Sequence, residues 1–208
     1  MSQKERGLRR GLAALAYRDY RRFAGSLLLT SLGVQLLQTA IFWQVYELTG
    51  DALALGLTGL ARALPHIVLS MVGGVVADRF NRVQLIQAGQ VANGALILGL
   101  AALTLTDAVE LWHLYAITSL NAAFTAVTMP ARSALIPSLI PQGNLVNAVA
   151  LNATIGQISQ IVGPALAGLV VGAADLGSTY ALTGVVYLAA MLAIVGIRAP
   201  LLPARTRE

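Results

Sequence analysis

Six apolar runs constrain this chain of 208 residues more than any other feature. They cover 23–46, 53–77, 83–105, 111–134, 146–171 and 179–197. Each is close to the roughly 20 residues that a helix needs to cross a bilayer. The strands of a membrane barrel need only about 10 residues, so runs of this length point to helices. Charged residues make up 11% of the chain, against about 25% in a soluble domain. The chain therefore cannot cover a surface in water. The reading is an all-α membrane protein of six transmembrane helices over 23–197. A basic amphipathic stretch precedes the bundle at 1–22, and a polar tail follows at 198–208.

The basic start leads into an apolar run too long for a signal peptide, so that run is expected to be an uncleaved first span. Tyr17, Tyr20 and Phe23 are interleaved with Arg18, Arg21 and Arg22. The expectation is a helix lying at anionic headgroups with aromatic anchors. The connections 48–51 and 172–178 have turn compositions. A longer loop over 136–144 holds Pro137 and Pro141, which are expected to stop the fourth helix.

Sidedness follows from charge. Of the fourteen Lys and Arg residues, all but Arg62 fall at 1–22, at the 78–82 turn, in a 132–145 loop or in the tail. The other three connections hold Glu47, Asp51, Asp107, Glu110 and Asp175, with no Lys or Arg. The positive-inside rule places both termini in the cytoplasm, as an even number of spans also requires. The excess of base is thus a topology signal of an inner-membrane protein, not a nucleic-acid footprint. There is no cysteine, so disulfides and thiol chemistry are excluded. Two histidines and no acidic pair within a span offer no catalytic constellation. No enzyme activity, cofactor or metal is expected.

The stretch from Gly74 to Val83 packs a carboxylate and two guanidiniums into five residues between apolar runs. It resembles the signature loop of the major facilitator superfamily, G-x-x-x-D-R-x-G-R-R. Gly74, Asp78, Arg79 and Arg82 match it. Asn81 replaces the second Gly, an exchange expected to be mild because Asn tolerates a left-handed backbone. Val83 replaces the last basic residue. The alternative is that these bases merely fix topology. The resemblance implies an inside gate, in which Asp78 and the arginines pair with each other and with a helix of a second half. It also implies that the six helices are one half of a twelve-helix transporter, built as a 3+3 inverted repeat. The tail at 198–207 looks like the start of the linker between halves.

In the fifth span, Gly163, Pro164 and Gly168 resemble the antiporter motif G-x-x-x-G-P-x-x-G-G, with Ser159 and Ala167 as small replacements. Small residues let helices approach closely, and Pro bends a helix. Ordinary packing is the plainer reading. The drug–proton antiporters of the superfamily usually carry an arginine in the fourth span. Here none precedes Arg132. The stretch 130–137, with 144–152, resembles exporters related to enterobactin and macrolide efflux proteins. That resemblance implies efflux of a drug-like or siderophore-like amphipathic molecule.

Polar groups inside spans are costly unless they face protein or water. In the first span Ser31, Gln35, Gln38, Thr39, Phe42, Trp43 and Tyr46 fall within about 140° of arc. Thr118, Asn121, Thr125, Thr128 and Arg132 recur at three- and four-residue steps in the fourth. Thr154, Gln157, Gln160, Pro164 and Gly168 do so in the fifth. Three such stripes suit a shared central cavity or interhelical hydrogen bonds. Gln35, Gln38, Asn121, Gln157 and Gln160 are the candidates for lining it. Arg62 lies about 13 Å along the second span from Leu53, at roughly 1.5 Å per residue. His66, four residues on, shares its face. The pair suits an anionic substrate group or a proton-linked site. A structural pair of Arg62 with Glu47 or Asp51, and a packing role for His66, are the alternatives.

The sequence thus points to a proton-coupled secondary exporter of a small molecule. It would be completed in the bilayer by a second six-helix half or by a second copy of itself. The rival is a non-transporting scaffold that keeps the bundle.

Overall fold

In a computed structural model, residues 13–197 are described, apart from the side chains of Ala13, Val72 and Asp78. Most of the basic stretch at 1–22 and the whole tail at 198–208 lie outside the described residues. Among the described residues six long helices form: α1 Arg18–Thr49, α2 Ala52–Arg79, α3 Arg82–Leu105, α4 Leu111–Leu139, α5 Leu145–Ala173 and α6 Leu176–Ile194. All but α4 are long and apolar enough to cross a membrane. α4 spans 29 residues. Its apolar character is diluted by Trp112, His113, Thr118, Asn121 and Thr128.

The turns obey local chemistry. Gly50 ends α1 with φ 62°, the left-handed conformation that glycine adopts at little cost. The Asp51 carboxylate then accepts from the Leu53 amide at 2.9 Å and caps α2.

Three sequence expectations need correction. Asn81 is not left-handed, with φ −61°. It caps α3 instead, its side-chain oxygen accepting from the Val83 and Gln84 amides at 3.0 and 3.4 Å. The signature stretch is therefore mostly helix, and only Phe80 and Asn81 form the turn. Second, Pro137 does not stop α4. The helix continues to Leu139, and the extended Ile140 (φ −144°, ψ 151°) precedes Pro141. Proline disfavours a helical conformation at its predecessor, and Ile140 before Pro141 takes the extended alternative that ends the helix. Arg132, expected at the margin of span and loop, consequently lies well within α4. Third, Tyr20 and Phe23 are not headgroup anchors. Both are buried, and Tyr20 donates to the Ala148 carbonyl on α5 at 3.0 Å.

The helices pack in definite pairs. α2 runs along α4, α3 along α6, and α1 fills the space between α5 and α6, while α3 also meets α4. α2 and α5 keep broad apolar faces outward, with Ile67, Val68, Met71, Val146, Ile161 and Leu169 exposed. Two apolar clusters occupy the two ends of the bundle. One holds Tyr20, Phe23, Ile86, Leu135 and Ile194. The other holds Leu37, Ile41, Ile97, Leu100, Leu114 and Tyr180. Between them α1, α3 and α4 contribute Ser26, Thr30, Gln90, Asn93, Asn121 and Thr128, a polar layer enclosed by hydrocarbon. The first end carries Arg18, Arg21, Arg22, Arg79 and Arg82. The second carries Glu47, Asp51, Asp107, Glu110 and Asp175.

Candidate functional site

Arg62 is exposed on α2 and donates through Nη1 to Gln38 Oε1 on α1. The two residues form one wall of a groove between α1, α2 and α4. Phe42, Thr58, Gly59 and Asn121 line the rest, and the groove encloses about 40 Å³. Neither Glu47 nor Asp51 pairs with Arg62 among the described residues; its hydrogen-bond partner is Gln38. His66 is half-buried one turn further along α2.

The second α4 stripe residue in this groove opens inward. The Asn121 side-chain amide donates to Asn93 Oδ1 on α3 at 2.8 Å and to the Tyr187 hydroxyl on α6 at 3.3 Å. Beyond these partners lies a larger cavity of about 150 Å³. Val34 lines both spaces. Arg132 enters the cavity from α4 and donates through Nη2 to Thr30 Oγ1 at 3.2 Å. Gln90 donates to the same hydroxyl at 3.0 Å and to Ser26 Oγ at 2.8 Å. Arg132 Nη1 and Gln90 Oε1 are buried without a partner among the described residues. Burying an uncompensated cation costs several kcal/mol even after relaxation. Among the described residues no carboxylate lines the cavity to compensate this cation.

The remaining site residues lie outside the lining of these two spaces. Gln35 faces α5, where a Cβ on Gly163 would overlap its Cβ. The buried stripe of α5 is Ser159, Gly163 and Ala167, all small. Gln157 and Gln160 are exposed on the rest of the helix and line neither the groove nor the cavity. Gly168 is exposed with open space around it, and Pro164 is half-buried within the helix. In the signature stretch, Gly74 has open space, whereas a Cβ on its neighbour Gly73 would come within 2.7 Å of the Ala126 carbonyl on α4. Gly73 is thus the residue that lets α2 and α4 touch. Arg82 Nη1 donates to the Ala134 carbonyl at 2.9 Å and ties the turn to α4. Arg79 is exposed, and the Asp78 side chain lies outside the described residues.

Sequence reasoning missed Thr30, Gln90, Asn93 and Tyr187. The signal for two of them was present, since Gln84, Gln87, Gln90 and Asn93 recur at three-residue steps in the third span. Tyr187 carries no such mark, because aromatic residues are ordinary in membrane helices.

The chain resembles known transporters over most of its length. It is 28% identical over 148 residues to an uncharacterized MFS-type transporter of Bacillus subtilis, covering 71% of this chain and 34% of that protein. It is 26% identical to macrolide efflux protein A of Streptococcus pyogenes, over 83% of this chain and 43% of the relative. It is 27% identical to the enterobactin exporter of Shigella boydii, over 90% and 44%. The chain thus spans less than half the length of these curated relatives. The profile of a family described as transmembrane secretion effectors matches residues 10–205, nearly the whole sequence. These are transporters rather than enzymes, and the resemblance of the signature loop and of 130–152 agrees with them. The chain belongs to the transmembrane secretion effector family of the major facilitator superfamily.

Proposed function

We propose that this chain is one six-helix half of a secondary exporter that moves a small amphipathic molecule out of the cytoplasm in exchange for protons. The observation that carries the reading is the polar groove between α1, α2 and α4, where Arg62 reaches across to Gln38 at depth. A cation there is expensive in hydrocarbon, and a scaffold has no use for it. Macrolide and enterobactin efflux proteins are among the relatives, which favours export of an amphipathic or siderophore-like cargo. His66, on the same face as Arg62, is the candidate proton site.

The packing pairs favour a 3+3 inverted repeat. Exchanging α1 with α4, α2 with α5 and α3 with α6 turns the α1–α5 contact into α4–α2 and the α1–α6 contact into α4–α3. The α3–α6 and α1–α4 contacts map onto themselves. On this reading Arg79, Arg82 and Asp78 form the inside gate, the basic end is cytoplasmic, and the polar groove faces a second half. That half is either further chain, a separate polypeptide or a second copy.

The test is transport in inverted membrane vesicles, with this chain expressed together with a matching second half. Accumulation of a fluorescent amphipathic cargo, abolished by a protonophore, is expected. Vesicles containing both halves that accumulate nothing over the empty control would favour the scaffold.

A further inference from the structure

We propose that the cavity around Arg132 is a binding site for one small monovalent anion, either chloride or a carboxylate. The inference is independent of transport, because it rests on the chemistry of the cavity wall.

The wall is apolar at Leu27, Val34 and Met129, and the unspent polar groups set among them are mainly donors. Arg132 Nη1 is buried and unpartnered among the described residues. The Tyr187 hydroxyl accepts from Asn121 and keeps its own proton to give. Ser31 Oγ and Asn93 Nδ2 donate to nothing among the described residues, and both side chains line the cavity. Thr30, the hub between Arg132 and Gln90, spends its proton on the Ser26 carbonyl at 2.7 Å. It therefore holds the guanidinium in place by accepting from it. No described carboxylate lines this cavity.

A cation whose buried Nη1 has no partner among the described residues is completed by a ligand that accepts and carries one negative charge. Water alone leaves the charge uncompensated. The size fits: about 150 Å³ holds a small anion with a few waters, at about 30 Å³ per water. Gln90 Oε1, a buried acceptor unpartnered among the described residues, is then satisfied by a water in the anion's own shell. Arg62 is a separate site, since it is exposed, pairs with Gln38 and lies across the Asn121–Tyr187 contact.

The experiment measures thermal unfolding of the purified full chain in detergent at fixed ionic strength. Chloride or acetate replaces gluconate, an anion too bulky for the cavity. A saturable rise in Tm is expected with the small anions. It should be lost in Arg132→Gln and kept in Arg21→Gln, which removes an exposed arginine. Should Arg132→Gln fail to fold, Tyr187→Phe removes one donor and keeps the charge; it should raise the half-saturating anion concentration about tenfold. Chloride and acetate competing for the same saturation identifies a free inorganic anion as a sufficient occupant. Stabilisation by acetate alone assigns the site to a carboxylate arm of a larger molecule. No difference from gluconate, or an equal rise in Arg132→Gln, overturns the proposal. So does an anion effect that emerges only in Asp78→Asn, because the chain's own carboxylate then fills the site.

Discussion

Gly163 of α5 lies so close to Gln35 of α1 that any side chain at position 163 would enter the space of the Gln35 Cβ. The two helices touch here backbone to stem, flanked by Ser159 and Ala167 one turn to either side. Gly163→Leu should therefore destabilise the bundle by at least about 1–3 kcal/mol, the usual range for overpacking. Gly168→Ala, five residues on and in open space, should be neutral or slightly stabilising, because Ala is the better helix former. Thermal unfolding of the two variants in detergent separates close packing from a general intolerance of the motif. Equal losses would show that the glycines are not acting through α1.

Asn81 makes a second prediction. Its side chain accepts from two orphan amides at the start of α3. Asn81→Ala should cost about 0.5–2 kcal/mol, and Asn81→Asp should retain most of the capping. Asn81→Gly, which favours a left-handed backbone, should cost less than Ala but gain nothing. A gain of stability with Gly would mean that the turn wants a left-handed residue after all.

These two sites show what sequence could and could not reveal. The helices follow from apolar runs of bilayer length, and their existence needed no tertiary information. Gly163 was singled out by its neighbours Pro164 and Gly168, yet the motif did not say which glycine meets α1; that depends on the rotation of α5. The same uncertainty hid the facing of Gln157 and Gln160. Hydrophobicity cannot phase a helix that is apolar all round, since lipid and protein interior reward the same residues. Arg132 was placed at the margin of the fourth span and its loop, because the prolines were expected to end α4 sooner. Proline's constraint falls most heavily on its predecessor, and only Ile140 before Pro141 obeyed it.

The Gln44–Tyr180 pair stands in the acidic-end cluster. The buried Tyr180 hydroxyl donates to Gln44 Oε1 at 2.9 Å, and Gln44 Nε2 donates to Thr104 Oγ1 at 3.4 Å. Tyr180→Phe should cost about 1–3 kcal/mol by leaving the glutamine oxygen unpaired. Adding Gln44→Leu should recover part of that loss, because the amide then needs no partner. Strict additivity in a double-mutant cycle would show that the two groups do not interact.

For Arg62 the expectation concerns activity, not stability. Arg62→Ala should leave the protein in the membrane and abolish cargo accumulation, while Gln38→Ala should reduce it. Since the chain has no cysteine, Arg62→Cys can be probed with a water-soluble maleimide. Labelling is expected, because the groove opens to water. An unlabelled position in a variant that transports normally would place Arg62 against lipid and end its role.

The last prediction concerns what covers the groove. α2 lines it, and of the apolar spans α2 and α5 bury the least of themselves against the rest of the bundle. Apolar faces are indifferent to lipid, so they do not by themselves demand a partner. The groove does, because Gln38, Arg62 and Asn121 would otherwise meet hydrocarbon. On the proposed reading a second half sits across α1 and α4, with the outward faces of α2 and α5 at its margins. Val75, exposed on α2 next to the signature turn, then lies close to that half. Val75→Cys in native membranes should give a crosslinked product with a second copy or a second polypeptide. Leu192→Cys, exposed on α6, should not, because α6 packs against α1 and α3 on the side away from α2. If neither cysteine crosslinks and a monomer still transports, the half-transporter reading is wrong.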